Sequence, residues 1–271
     1  MKKLALSSLI AVFAVSGAHA ANVIDGNPLY MPKANHFYSV TDLSSHTDKF
    51  VNGDEQINKW NLGEDFGYGI TDKLAVQIST GMMENDTFDQ VAWEETTFAA
   101  AFRALDMGAW KLDVLGAYTV DPMWADHSEF LDKGLTGYTW TAGVRGGYTT
   151  SLFTVAGHVA FDYLNTESFN WGDDGFHALR LGVDGQYVLC DKLNLVAGVE
   201  YRGVMDDDVE GLKVKNAGTW NGMFGVNYNI DATKFVGAYV KGSLNHHDGN
   251  AADEWGWDDG FGFGAKFGID F

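Results

Sequence analysis

The sequence predicts an all-β fold: a single transmembrane, antiparallel, up-and-down barrel of about twelve strands. Three observations point to it. The last eleven residues, Phe261 to Phe271, alternate strictly, with Phe261, Phe263, Ala265, Phe267, Ile269 and Phe271 on one face and Gly262, Gly264, Lys266, Gly268 and Asp270 on the other. Such alternation is a strand with one apolar and one polar face. The same design recurs along the chain, with 33 glycines, 14% aromatic residues and only 3 prolines. The connections between these segments alternate short and long, the pattern of a barrel with tight turns at one rim and loops at the other. A bare aromatic strand at a free sheet edge would aggregate, whereas barrel closure pairs both its edges and gives its apolar row to lipid.

The elements follow in order. Residues 1–20 carry Lys2 and Lys3, an apolar stretch from Leu4 to Val15, and Ala18-His19-Ala20. This is a secretory signal peptide, with cleavage expected after Ala20. Residues 21–34, with Pro28 and Pro32, read as an irregular lead-in, and 35–271 as the barrel. The first strand, 35–47, is ambiguous in facing, because Tyr38 and Val40 compete with Phe37 and Leu43 for the lipid side. The second, 57–70, turns Trp60, Leu62, Phe66, Tyr68 and Ile70 outward, and Glu64 falls on that row without explanation. Further strands are expected at 74–83, 95–105, 109–121, 136–149, 152–164, 175–188, 192–203, 217–230, 234–245 and 261–271. The strand at 234–245 reads best with Val236, Ala238 and Val240 to lipid and Lys241 inside. Aromatics such as Tyr68, Trp110 and Tyr148 at one end, and Trp60, Tyr118 and Trp220 at the other, mark two interfacial girdles.

Charge is sorted by connection. The net charge is −19, and the acids gather in the long loops, as in Asp206, Asp207, Asp208 and Glu210, or Asp248, Asp253, Glu254, Asp258 and Asp259. These loops are expected to be solvated, with divalent-cation binding by their carboxylates as the sharper alternative. No EF-hand spacing is present, and His246-His247-Asp248 has metal-ligand chemistry, although adjacent histidines in a loop are more often simply exposed. The negative balance argues against nucleic-acid partners. A single cysteine, Cys190, excludes an internal disulfide. No cofactor motif occurs.

The end of the chain adds a resemblance. Phe271, with Ile269 and Phe267 at every second position before it, resembles the assembly signal of Gram-negative outer-membrane β-barrel proteins. The hairpin Gly67-Tyr68-Gly69-Ile70-Thr71-Asp72-Lys73-Leu74 is similar to hairpins of several small transporter barrels. The resemblance implies an integral outer-membrane protein in contact with lipid and lipopolysaccharide. It also implies recognition of the last strand by the barrel-assembly machinery, and short turns on the periplasmic side.

The inward rows carry the functional candidates. Most inward positions are small or polar, yet Asp65, Arg103, Lys111, Asp113, Arg145, His158, Asp162, Arg180, Asp184, Glu200 and Arg202 place ionisable groups on them. Buried charges require partners or water. Arg103, Lys111 and Arg145 are expected as a hydrated basic patch facing Asp65, Asp162, Asp184 and Glu200, which resembles the constriction of porin-like channels. Three readings follow: a narrow porin-like channel for small polar solutes, a closed structural or adhesion barrel, and a lipid-modifying enzyme. Catalysis is disfavoured, since His158 has only Ala156 and Ala160 beside it on its face, the Ser44 and His46 pair on the first strand is of a kind expected by chance, and no Gly-x-Ser-x-Gly element occurs.

Overall fold

The computed structural model describes residues 27–49, 56–85, 91–93, 95–122, 135–165, 176–205, 208–209, 212–213, 218–247 and 261–271. The wall consists of β1 (Phe37–Lys49), β2 (Gln56–Thr71), β3 (Leu74–Asn85), β4 (Thr96–Met107), β5 (Trp110–Pro122) and β6 (Leu135–Thr149). It continues with β7 (Phe153–Asn165), β8 (Phe176–Cys190), β9 (Leu193–Val204), β10 (Gly218–Asn229), β11 (Lys234–His247) and β12 (Phe261–Asp270). Each pairs antiparallel with its sequence neighbours, and β12 returns to β1 from Tyr38↔Asp270 to Thr47↔Phe261, so the twelve strands close on themselves. Closure satisfies the backbone groups along both edges of each strand, which a hydrocarbon environment demands. Beyond the wall, Val91–Trp93 pairs with the outer end of β3, and Asp208–Val209 with Leu212–Lys213. The expected signal peptide and most of the acidic loop stretches lie outside the described residues.

The outward rows are apolar along most of the wall, as the alternation predicts. Phe66, Ile78, Phe98, Phe102, Val114, Trp140, Phe161, Val183, Phe224, Val240 and Phe263 are all exposed. A face of this composition is stable only against lipid. Aromatic rings meet across neighbouring strands near the rims: Trp110 and Tyr148 at 4.9 Å, Tyr118 and Trp140 at 4.5 Å, Tyr201 and Trp220 at 5.1 Å. Register irregularities fall at 69/71, 103/105, 121/122, 193/194 and 220/221, toward strand ends where bulges usually sit. In the turn after β10, Asp231 accepts from the Thr233 N–H and hydroxyl, and those donors hold its carboxyl below the usual carboxylate range.

Two ambiguous strands resolve. β11 faces as expected, with Val236 and Val240 exposed and Phe235 and Tyr239 buried. In β1, Phe37 and Leu43 face outward, while Tyr38, Val40, Asp42 and Ser44 are buried inside. The outward row of β1 is thus Phe37, Ser39, Thr41 and Leu43, and its polar middle is what blurred the alternation. Ser39 and Thr41 donate to the two carboxylate oxygens of Glu64 on β2, so the unexplained acid of the sequence has its partners on the outer face.

The lead-in behaves differently from a loop beyond the wall. Pro28 and Leu29 are buried, Leu29 only 2% exposed. The Leu29 carbonyl accepts from Arg103 Nη2 at 2.7 Å, deep on the inner face of β4. Tyr30 donates its hydroxyl to Asp270 and sets its ring edge-on to Tyr38. The chain leaves through a turn at Asn35, whose φ of 64° lies in the left-handed region that asparagine tolerates. There the Asn35 N–H binds the Gly69 carbonyl and the Gly69 N–H binds that of His36. Residues 27–34 therefore stand across the mouth at the turn end of the barrel.

Candidate functional site

The site is the barrel interior, and all eleven ionisable residues expected there lie on the inward phase, buried or half-buried. The register brings several into one continuous row across adjacent strands: Arg103↔Asp113↔Arg145↔His158↔Gly182↔Glu200. The groups along it are paired rather than sorted by sign into opposing walls. Asp113, with a fully buried side chain, accepts from Arg103 Nε at 2.7 Å and from Arg145 Nη2 at 2.7 Å. Lys111 turns instead to Asp106 at 2.9 Å, at the rim. The expected three-cation patch is thereby divided, and two of its members share one carboxylate. Asp106 was read as part of a turn, which is why this pairing was missed.

A second group forms on β6 to β9. Asp162 accepts from Arg180 at 2.8 Å, from Thr141 at 2.7 Å and from Arg202 at 3.3 Å. His158 lies between two acids, with Nε2 2.9 Å from Glu200 and Nδ1 3.2 Å from Asp184. The reach to Glu200, two strands away, depends on Gly182. A Cβ there would come 2.3 Å from His158 Cε1, so only glycine leaves the ring its path. The acids expected as a free wall are thus bound to arginines and histidine beside them.

The opposite side contains a cluster of which Asp65 alone was a candidate from the sequence. Tyr239 donates to Asp42 at 2.8 Å, and the Lys266 ammonium sits 4.7 Å above the Tyr239 ring. Gly264 makes room for that ring, since a Cβ would meet it at 2.5 Å. Next to it, Tyr38 donates to Gln77, and Gln77 donates to Asp65 at 3.3 Å and Ser79 at 2.8 Å. Lys266, set between Gly264 and Gly268 on its face of the last strand, was the available signal. Asp42 was hidden by the uncertain facing of β1.

Between these walls lies a cavity of ≈ 90 Å³. Ala75, Ala99, Ala101 and Ala117 line one side, Arg145, His158, Arg180 and Glu200 the other, and Tyr30, Met31 and Pro32 the end nearest the lead-in. The space is large enough to hold a small cluster of waters. His158 meets two carboxylates rather than a hydroxyl, and Ser44 is buried on β1. The side chain of His46 lies outside the described residues. Among the described residues, no cluster of three or more His, Cys, Asp or Glu has metal-binding geometry. Phe267, Ile269 and Phe271 lie on the outward phase of the last strand and its end.

No protein-family model and no curated protein sequence matches the chain. Solved structures do. An outer-membrane channel from Pseudomonas putida F1 is similar with a TM-score of 0.65 at 14% identity, over 92% of this chain and 99% of that one. The translocator domain of the autotransporter NalP from Neisseria meningitidis is similar with a TM-score of 0.59 at 12% identity, over 98% of each. The NanC porin is similar with a TM-score of 0.55 at 8% identity, over 84% of this chain and 98% of that one. At these identities the likeness is one of architecture: the chain has the closed, all-antiparallel, twelve-strand fold of outer-membrane β-barrel proteins.

Proposed function

We propose that this protein is a narrow outer-membrane channel for passive passage of ions and the smallest polar solutes. One observation carries the reading: a cavity of ≈ 90 Å³ runs between an alanine face and an ionic face inside a closed barrel. An apolar closed core would not need eleven inward ionisable side chains, each of which costs free energy to desolvate. The fold shared with a channel and a porin supports transport over other barrel functions. His158 Nε2 is hydrogen-bonded to Glu200 and Nδ1 faces Asp184 at 3.2 Å, which favours a wall of fixed dipoles over a nucleophile and its base. The leader ending at Ala20 would deliver the chain to the periplasm, and the Phe271 end would be read by the assembly machinery. The acidic loops would gather cations, divalent ones included, near lipopolysaccharide.

The runner-up is a closed structural barrel, favoured by the pairing of Arg103 and Arg145 with Asp113 and of Arg180 and Arg202 with Asp162. Solute flux into proteoliposomes separates the two. The channel reading expects potassium and glycine to enter and sucrose to be excluded, because the cavity of ≈ 90 Å³ is small beside a disaccharide. Vesicles as tight as protein-free controls to all three would establish the closed barrel.

A further inference from the structure

The outer wall holds one polar feature that the transport reading does not use. Glu64 lies on the outward row of β2, between Leu62 and Phe66, which are 49% and 47% exposed. Trp60 and Tyr68, four residues away on either side, put it roughly 10 Å from each interfacial girdle, close to the middle of the hydrocarbon. A carboxyl group facing lipid at that depth is costly and usually serves a function. Ser39 and Thr41 each donate one hydrogen bond to it. Carboxylate oxygens have further lone pairs, so acceptor capacity remains.

The adjoining strand supplies the complement. Thr80 is the register partner of Glu64 on β3, and its hydroxyl pairs with that of Thr96 at 3.0 Å. Trp93 donates its indole N–H to Thr96 as well. Two hydroxyls joined by one hydrogen bond leave one O–H without an acceptor among the described residues. A spare acceptor at Glu64 thus lies one strand away from a spare donor at the Thr80–Thr96 pair.

We infer that this face is a two-fold contact between copies of this chain within the bilayer. An isologous interface presents the same patch twice, so each copy must supply what the other lacks. With the axis passing between Glu64 and Thr80, the hydroxyl pair of each copy donates to the Glu64 of the other. Leu62, Phe66, Ile78 and Phe98 form the apolar surround that excludes lipid from the pair. Interhelical-type polar contacts in lipid are modest individually, and two reciprocal ones suffice for a weak, specific dimer.

The test uses the native Cys190, which is exposed at the end of β8, as a single dye site. Photobleaching in phosphatidylethanolamine–phosphatidylglycerol vesicles should show two steps for the native protein and one step for Glu64→Leu and for Thr80→Val. Dimerisation should weaken by about tenfold in each variant. Glu64→Leu should leave thermal unfolding of the barrel unchanged or raise it, because an acid is removed from lipid. One-step bleaching of the native protein at all lipid ratios would overturn the inference. So would two-step bleaching that both variants retain, and so would a Glu64→Leu barrel that loses stability while its bleaching stays native, since the carboxyl would then only join β1 to β2. Thr80→Val keeps the question decidable if Glu64→Leu does not fold.

Discussion

At the scale of single residues, the interior is governed by carboxylates that each hold more than one cation. Asp113 serves Arg103 and Arg145 from a position closed to water. Its replacement by alanine leaves two guanidinium groups buried without a counter-charge, and we expect a loss of about 3–5 kcal/mol in detergent unfolding. Asp106→Ala, which breaks the half-exposed pair with Lys111 at the rim, should change stability by about 1 kcal/mol or less. Equal effects of the two substitutions would mean that the inner pair is hydrated. Gly182→Ala provides a second check, because its Cβ occupies the path of the His158 ring. It should displace that ring from Glu200 and lower the melting temperature, whereas Gly157→Ala on the outward phase of β7, with only a carbonyl 3.7 Å away, should be near neutral. None of these pairings was legible in the sequence. The inward phase of each ionisable residue follows from alternation, but which of them touch depends on register and on glycine gaps such as Gly182 and Gly264.

At the scale of strands, alternation was legible nearly everywhere, and the exceptions share one cause. The facing of β1 was ambiguous because Ser39 and Thr41 interrupt its apolar row, and Glu64 interrupts that of β2. These three side chains bind one another across the β1–β2 pair. A pattern read one strand at a time registers two irregularities where the sheet contains one cluster. The last strand is the opposite case, since its Phe263 and Phe267 point to lipid without interruption. Phe267→Arg, near the middle of that strand, should cost about 2–4 kcal/mol in folding into a bilayer. Phe271→Ala should lower assembly in cells while leaving refolding in detergent intact, as expected if the terminal side chain acts through the assembly machinery. Native assembly of Phe271→Ala in cells would remove that role.

At the scale of the whole molecule, twelve strands with about 4.8 Å spacing enclose a backbone radius of roughly 12 Å, which alone does not decide between a channel and a filled core. Two features narrow the lumen beside the cavity of ≈ 90 Å³. Large inward side chains such as Tyr38, Phe235 and Tyr239 fill the side formed by β11, β12, β1 and β2, and the segment 27–34 crosses the mouth. That segment was not legible because its main anchor is a backbone carbonyl, that of Leu29, and an irregular stretch with Pro28 and Pro32 shows no periodicity. Orientation has its own native reporter. An impermeant maleimide should miss Cys190 in intact cells and label it once the outer membrane is opened, while a cysteine at Met205, exposed at the other end of β9, should label in both. The reverse result would invert the barrel.

The most direct test of the channel account compares planar-bilayer conductance of the mature chain with that of a variant lacking residues 27–33. Removing this segment takes Leu29 from Arg103 and Tyr30 from Asp270 while leaving all twelve strands in place. The account predicts a small conductance for the mature chain and a severalfold larger one for the shortened chain, in which the mouth is clear. A folded shortened chain that passes no more current than protein-free bilayer would contradict it, because the paired interior alone would then be sufficient to close the barrel.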